Sequence, residues 1–190
     1  MAISKAQKTK ALADLLTGSL RLTELVDPLE ALLEECTTSA ELECIQSLLS
    51  RFEFIDPMKM ETLLDKLYSE IAALAAHASN PAIAAIAPNS EKDSSQKVLY
   101  DLVSIDARNM IFSERSVFNN INAVRTKREN HDLIFLIDTF CATGKTIKSR
   151  IQSLGGAKIV ACFPVIMRQA AKGLHVKGIA YLSPLHLDRG

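Results

Sequence analysis

The sequence has no excess of either charge: 22 basic residues stand against 22 acidic ones. No global field therefore draws it toward nucleic acid or an anionic membrane, although a local basic patch is compatible with this balance. Cysteines are few. Cys36, Cys44, Cys141 and Cys162 form no C-x-x-C pair, and the histidines are not clustered, which argues against a zinc site and against a disulfide framework. A reducing, cytoplasmic setting fits. Long hydrophobic runs are also missing. The most apolar window, 71–87, is broken by His77, Asn80 and Pro81 and is rich in Ala rather than Leu, unlike a membrane span. The opening residues, MAISKAQKTK, are polar and basic with no apolar core behind them, so they do not read as a secretory signal. No heptad repeat persists long enough for a coiled coil. His77, His131, His175 and His186 lie outside any motif and are expected on the surface or in packing.

What is present is enough chain, 190 residues, to bury a full core in one or two domains. From about residue 5 to 78 everything reads as helix. Leu12, Leu15 and Leu16 make one apolar stripe; Leu25, Val26, Leu29, Leu32 and Leu33 make a second, with Asp27-Pro28 as a cap and first-turn proline. Thr38 or Ser39 caps a third helix that buries Leu42, Ile45, Leu48 and Leu49, and a short extended piece is expected over 51–55. Asp56-Pro57 then starts the clearest helix, with Met60, Leu63, Leu64, Leu67, Tyr68, Ile71 and Leu74 at helical spacing. Such helices pack on themselves, cover a sheet or offer a protein-contact surface.

At Asn80-Pro81 the grammar changes. Residues 82–87 suit a buried strand, 89–95 a polar loop, and Val98, Leu99, Leu102 and Val103 the buried face of a helix. Residues 110–112 are expected as a short strand and 116–127 as a weak helix, with Arg125, Lys127 and Arg128 as its solvated end. Residues 158–166 (KIVACFPVI) and 176–182 supply further strands around a short helix at 168–172, with Pro164 confined to a strand end. The alternation βαβαβαβ favours a parallel sheet with right-handed crossovers.

The stretch around which this half is organised is 131–150, HDLIFLIDTFCATGKTIKSR. Leu133, Ile134, Phe135, Leu136 and Ile137 do not alternate with polar residues, so this strand is expected to be buried on both faces. Asp138 stands at its C-terminal end, where open α/β sheets bind ligands. Thr143, Gly144, Lys145 and Thr146 then lead into a helix patterned by Ile147, Ile151 and Leu154. A helix N-terminus presents unpaired N–H groups and partial positive charge, and Gly144 allows close backbone approach, so the expected guest is an anion. Cys141 in this loop could become a thiolate near that helix end, a minor idea without a histidine partner in sequence.

Two families place such a loop after a buried strand. The phosphate-binding loop of nucleotide hydrolases, G-x-x-x-x-G-K-[ST], is matched only by Gly144-Lys145-Thr146, since Thr139 stands at its first glycine. Residues 134–146, IFLIDTFCATGKT, resemble more closely the phosphoribosyl-pyrophosphate loop of type I phosphoribosyltransferases: apolar residues, two acids, three small or apolar residues, then [ST]-G-x-T. Asp138 falls on the first acid, Thr139 replaces the second, Ala142-Thr143-Gly144 stand on the usual A-T-G, and Thr146 on the last Thr.

This resemblance implies an α/β fold: a helical region over 1–79, then a phosphoribosyltransferase-like (Rossmann-like), mainly parallel sheet over 80–190. It implies that Asp138 binds ribose hydroxyls and is the catalytic candidate, and that Asp138, Thr139, Ala142, Thr143, Gly144, Lys145 and Thr146 form the phosphoribosyl site. It also implies that Lys92, Ser94 and Ser95 are the donors available to pyrophosphate. Mg²⁺ would accompany a diphosphate ligand, with no metal site in the protein alone. The departure at Thr139 bears on turnover more than on binding. The divergent loop behind a helical leader resembles the effector or sensor branch of bacterial conflict and phage-defence systems, with a protein partner or a second copy meeting the N-terminal helices. A non-catalytic interaction module and a degenerate nucleotide hydrolase remain the other readings.

Overall fold

The computed structural model describes residues 3–18, 22–50, 55–89, 92–155 and 158–188. The chain forms two compact units, Met1–Ile55 and Asp56–Arg189. In the first, α1 (Lys5–Gly18), α2 (Val26–Glu35) and α3 (Ser39–Ser50) close around Ala11, Leu15, Leu29, Leu33, Cys36 and Leu42. Lys8 ties α1 to α2 by donating to the Glu34 carbonyl at 2.6 Å. A reciprocal cap starts α3: Thr38 Oγ1 accepts from the Glu41 N–H at 3.3 Å, and the Glu41 carboxylate accepts from the Thr37 and Thr38 N–H groups at 2.7 and 3.0 Å. Two expectations change here. Asp27 lies inside the first turn of α2, whose N-cap is Leu25, and Leu48 is 62% exposed because its stripe is wider than the core it faces. The expected extended piece over 51–55 falls, except for Ile55, outside the described residues.

The second unit begins with α4 (Pro57–Ala75), capped as its sequence suggests by Asp56, which accepts from the Lys59 N–H at 2.6 Å, with proline in the first turn. Then come β1 (Pro81–Ala85), α5 (Ser94–Asp106), β2 (Val117–Phe118), α6 (Ile121–Arg125), β3 (Leu133–Ile137), β4 (Phe140–Cys141), α7 (Lys145–Leu154), β5 (Ile159–Cys162), β6 (Val165–Met167), α8 (Arg168–His175), β7 (Ala180–Leu182) and β8 (Leu185–Leu187). Five strands make a parallel sheet in the order β2-β1-β3-β5-β7, and β4-β6-β8 make a second, three-stranded parallel sheet.

β3 is central and all five of its side chains are buried. Leu133, Phe135 and Ile137 enter a core shared with α4 and α5, while Ile134 and Leu136 enter the opposite core with Ile147, Leu154, Ala170 and Leu174. This three-layer arrangement explains why the strand carries no polar alternation. It also moves the expected boundary at 79/80. Leu64, Leu67, Tyr68, Ile71 and Ala75 of α4 cover one face of the sheet, so α4 belongs to the sheet's unit and the division falls at Ile55/Asp56. Leu74, expected in that buried stripe, is 40% exposed.

Further differences have local causes. Residues 110–112 are not a strand, because the buried Asp106 carboxylate takes the Ile111 and Phe112 N–H groups at 3.1 and 3.0 Å, and Met110 turns at φ 53°. The strand comes later, as β2, inside what reads as a weak helix, and Asn120 caps the short α6 that remains. Arg128 is not a solvated end, since it donates to the Leu154 carbonyl at 2.7 Å and so satisfies the last turn of α7. The run 158–166 is split around Pro164 into β5 and β6, which belong to different sheets. α8 extends to His175, and the following strand is only Ala180–Leu182, after Gly178 at φ 65°. Among the described residues, no helix is long and apolar enough to cross a membrane.

Candidate functional site

β1 and β3 are neighbours in register, Ala85 opposite Ile137, so the segments that follow them leave the same edge of the sheet. Asp138 follows β3 directly. Its N–H donates to the Cys162 carbonyl at 3.0 Å, extending the β3–β5 pairing by one residue, and its carboxylate accepts from the Thr139 N–H at 2.8 Å. Burial pushes the Asp138 pKa up to about 6, the Thr139 N–H opposes the rise, and the charge of Asp93 adds to it.

Asp93 is a carboxylate that the sequence reading overlooked. It caps α5, accepting from the Ser95 N–H at 2.8 Å and from the Ser95 hydroxyl, while its own N–H donates to Gln96 at 3.3 Å. The D-x-x-Q spacing of a capping box was the available signal. Ser95 is fully buried with its hydroxyl committed to Asp93, so Lys92 and Ser94 are the exposed donors of this segment.

The loop after Asp138 passes through β4 and reaches α7 at Gly144, its N-cap, at φ 72° and ψ 4°. Only glycine takes this left-handed geometry at little cost. A Cβ there would also lie 3.2 Å from Leu174 Cδ2, so α8 backs the turn closely. Ala142, Thr143, Lys145 and Thr146 are exposed around it, and the Lys145 N–H reaches only a long 3.4 Å bond to Thr143 Oγ1. The first-turn amides of α7 have no partner within the helix, the ordinary condition of a helix start. Thr139, at the position where the motif carries its second acid, holds a buried Oγ1 with no hydrogen-bond partner. Cys141 is buried, and burial raises its thiol to about 11 despite the Gly144 N–H, which removes the thiolate idea at neutral pH.

Chemically this edge offers exposed amide and hydroxyl donors beside one carboxylate whose pKa burial has raised and a second close enough to perturb it. Among the described residues, no group of three or more His, Cys, Asp or Glu side chains could hold a metal. The repulsion between Asp93 and Asp138 nevertheless fits a cation that arrives bound to a diphosphate, because such a charge would relieve it.

A central parallel strand, an acid at its end and a small-residue turn into a helix define a type I phosphoribosyltransferase-like domain. The chain belongs to the PRTase-CE family, whose model matches residues 36–183. Similar solved structures include orotate phosphoribosyltransferase from Aeropyrum pernix, at 18% identity and TM-score 0.44 over 69% of this chain and 72% of that one. Hypoxanthine-guanine phosphoribosyltransferase from Schistosoma mansoni, solved with IMP, is 15% identical with TM-score 0.49 over 73% and 69% of the two chains. Purine phosphoribosyltransferase from Pyrococcus horikoshii Ot3 is 10% identical with TM-score 0.35 over 67% and 83%. No curated protein matches the chain.

Proposed function

We propose that this protein binds a phosphoribosyl or nucleotide ligand at the loop from Asp138 to Thr146, and that binding rather than turnover is what the loop retains. The observation that carries the reading is Gly144: its left-handed turn, backed by Leu174, leads directly into the first turn of α7. That geometry suits a 5′-phosphate held by backbone amides, with the hydroxyls of Thr143 and Thr146 and the ammonium of Lys145 at its rim. Asp138 would accept the ribose hydroxyls, and ionising it is the electrostatic cost of doing so. Thr139 is neutral where the family motif has its second acid, which leaves one carboxylate where two would hold the ribose. Lys92 and Ser94 are the donors available to a pyrophosphate, and Mg²⁺ bound by that diphosphate would supply charge neutralisation.

The same reading assigns the protein to the effectors or sensors of bacterial defence systems, acting in the cytoplasm. It is supported by the helical unit ahead of a divergent loop and by the exposed Leu25, Leu32 and Leu48 of that unit, which suit contact with a protein partner or a second copy. Calorimetric titration with phosphoribosyl pyrophosphate, ATP and ribose 5-phosphate, each with and without Mg²⁺, tests the ligand assignment. Saturable binding of a phosphoribosyl compound that is lost in Gly144→Val is the expected result. Identical heats from wild type and variant would leave the loop without a ligand role.

A further inference from the structure

α8 places Arg168, Lys172 and His175 on one exposed face, at spacings of four and three residues, while Ala170, Ala171 and Leu174 enter the core. Tyr181 of β7 and His186 of β8 stand beside that face, and the six residues line an open surface depression of about 410 Å³. The two rings are paired, with centroids 5.9 Å apart and planes tilted by 47°. Two permanent cations and two imidazoles therefore surround an aromatic wall, and no carboxylate is among the residues that line the space. None of them belongs to the 138–146 loop.

We infer that this depression is a second anion site, which takes a small phosphate ester carrying an aromatic ring, of about mononucleotide size. The volume lies in the range of small-molecule sites, roughly 300–1,000 Å³. Lys172 and Arg168 supply the charge that selects an anion. Arg168 is paired with Asp188, Nε to Oδ1 3.0 Å, but both partners are more than half exposed, so a phosphate can displace that carboxylate from the guanidinium. The rings of Tyr181 and His186 give a carbon surface, which a bare phosphate would not use and a nucleobase would. β7 and β8 are edge strands of their sheets, and cations on an edge also discourage pairing with another chain. Edge protection needs charges aimed outward along the strand. It does not account for the paired rings beside those cations.

The test follows the imidazole Cε1–H resonances of the full-length protein by NMR during titration with adenosine 5′-monophosphate, adenosine and inorganic phosphate. His77 and His131 serve as internal controls. The expected result is a saturable shift of His175 and His186 with the monophosphate, at an affinity clearly above that for either fragment. Lys172→Glu, an exposed position, should weaken it by about tenfold or more, and Tyr181→Leu should abolish the preference over inorganic phosphate. Asp138→Asn should leave these shifts unchanged, which separates this site from the loop. Unmoved His175 and His186, equal affinity for inorganic phosphate, or an unaltered titration in Lys172→Glu would each overturn the assignment.

Discussion

Asp93 and Asp138, from the segments that follow neighbouring strands, interact as like charges, and the first helps to raise the pKa of the second to about 6. The larger cause is burial of Asp138 itself. Because the folded pKa lies above the ordinary aspartate value of 3.8, the folded state holds a proton that the unfolded state releases between those two pH values. Stability therefore falls as pH rises from about 4 to 6 and levels off above. Asp138→Asn should be more stable than wild type at pH 7, by on the order of 2–3 kcal/mol at most, with the difference vanishing near pH 4. Urea midpoints measured across this range check the sign; a wild-type advantage at pH 7 would contradict it.

Gly144→Ala places a Cβ in a left-handed turn, at a cost of roughly 1–2 kcal/mol, and brings it 3.2 Å from Leu174 Cδ2. Thermal unfolding should show a lower midpoint. Gly178→Ala, also at positive φ but with nothing within 4 Å, serves as the comparison for conformational strain alone. A Gly144 variant no worse than the Gly178 variant would mean that Leu174 yields at no cost.

Thr139 Oγ1 is buried without a partner. Thr139→Val keeps the shape and removes the orphan, so it should raise stability by about 1 kcal/mol or more. If the hydroxyl meets a bound ribose, the same change weakens ligand binding. Thr139→Asp restores the second acid, and an assay for pyrophosphate release tests whether turnover was lost at this position.

Tyr68 donates to Asp106 at 2.8 Å, and the same carboxylate holds the Ile111 and Phe112 N–H groups. Tyr68→Phe removes that bond and the one the hydroxyl accepts from Asn109 Nδ2 at 3.2 Å, and should cost about 1.5–3 kcal/mol. Asp106→Ala strands all three donors and should cost more. Hydrogen exchange at Ile111 and Phe112 separates the two, since only the second variant exposes those amides.

The unit Asp56–Arg189 contains α4 and both faces of the sheet's packing. Deleting residues 1–55 should leave a folded domain that retains small-ligand binding. Deleting 1–79 removes Leu64, Leu67, Tyr68 and Ile71 from the core and should give an insoluble or molten product. Circular dichroism and ligand titration of the two truncations give opposite outcomes if α4 is part of the sheet's core.

The local grammar of the sequence was sufficient for the central strand, the acid after it and the turn into α7, because each depends on a few adjacent residues: five apolar side chains, one carboxylate, one glycine. The caps at Asp56 and Thr38 were legible for the same reason. Less was legible where a remote group decides the backbone. Residues 110–112 have strand composition, but Asp106 takes their N–H groups. Arg128 has the look of a solvated end, but the carbonyl of Leu154 is there to receive it.

The pattern of apolar and small residues alone thus determined a parallel α/β domain with a glycine turn from the central strand's loop into a helix, since burial on both faces and a left-handed glycine leave few other arrangements. Only the tertiary structure decided which helices belong to that domain and which charges share its edge. α4 carries the same kind of leucine stripe as the helices before it, and a stripe does not say what covers it. Asp93 and Asp138 are ordinary acids in sequence, and their coupling exists only because β1 and β3 pair in register and end together.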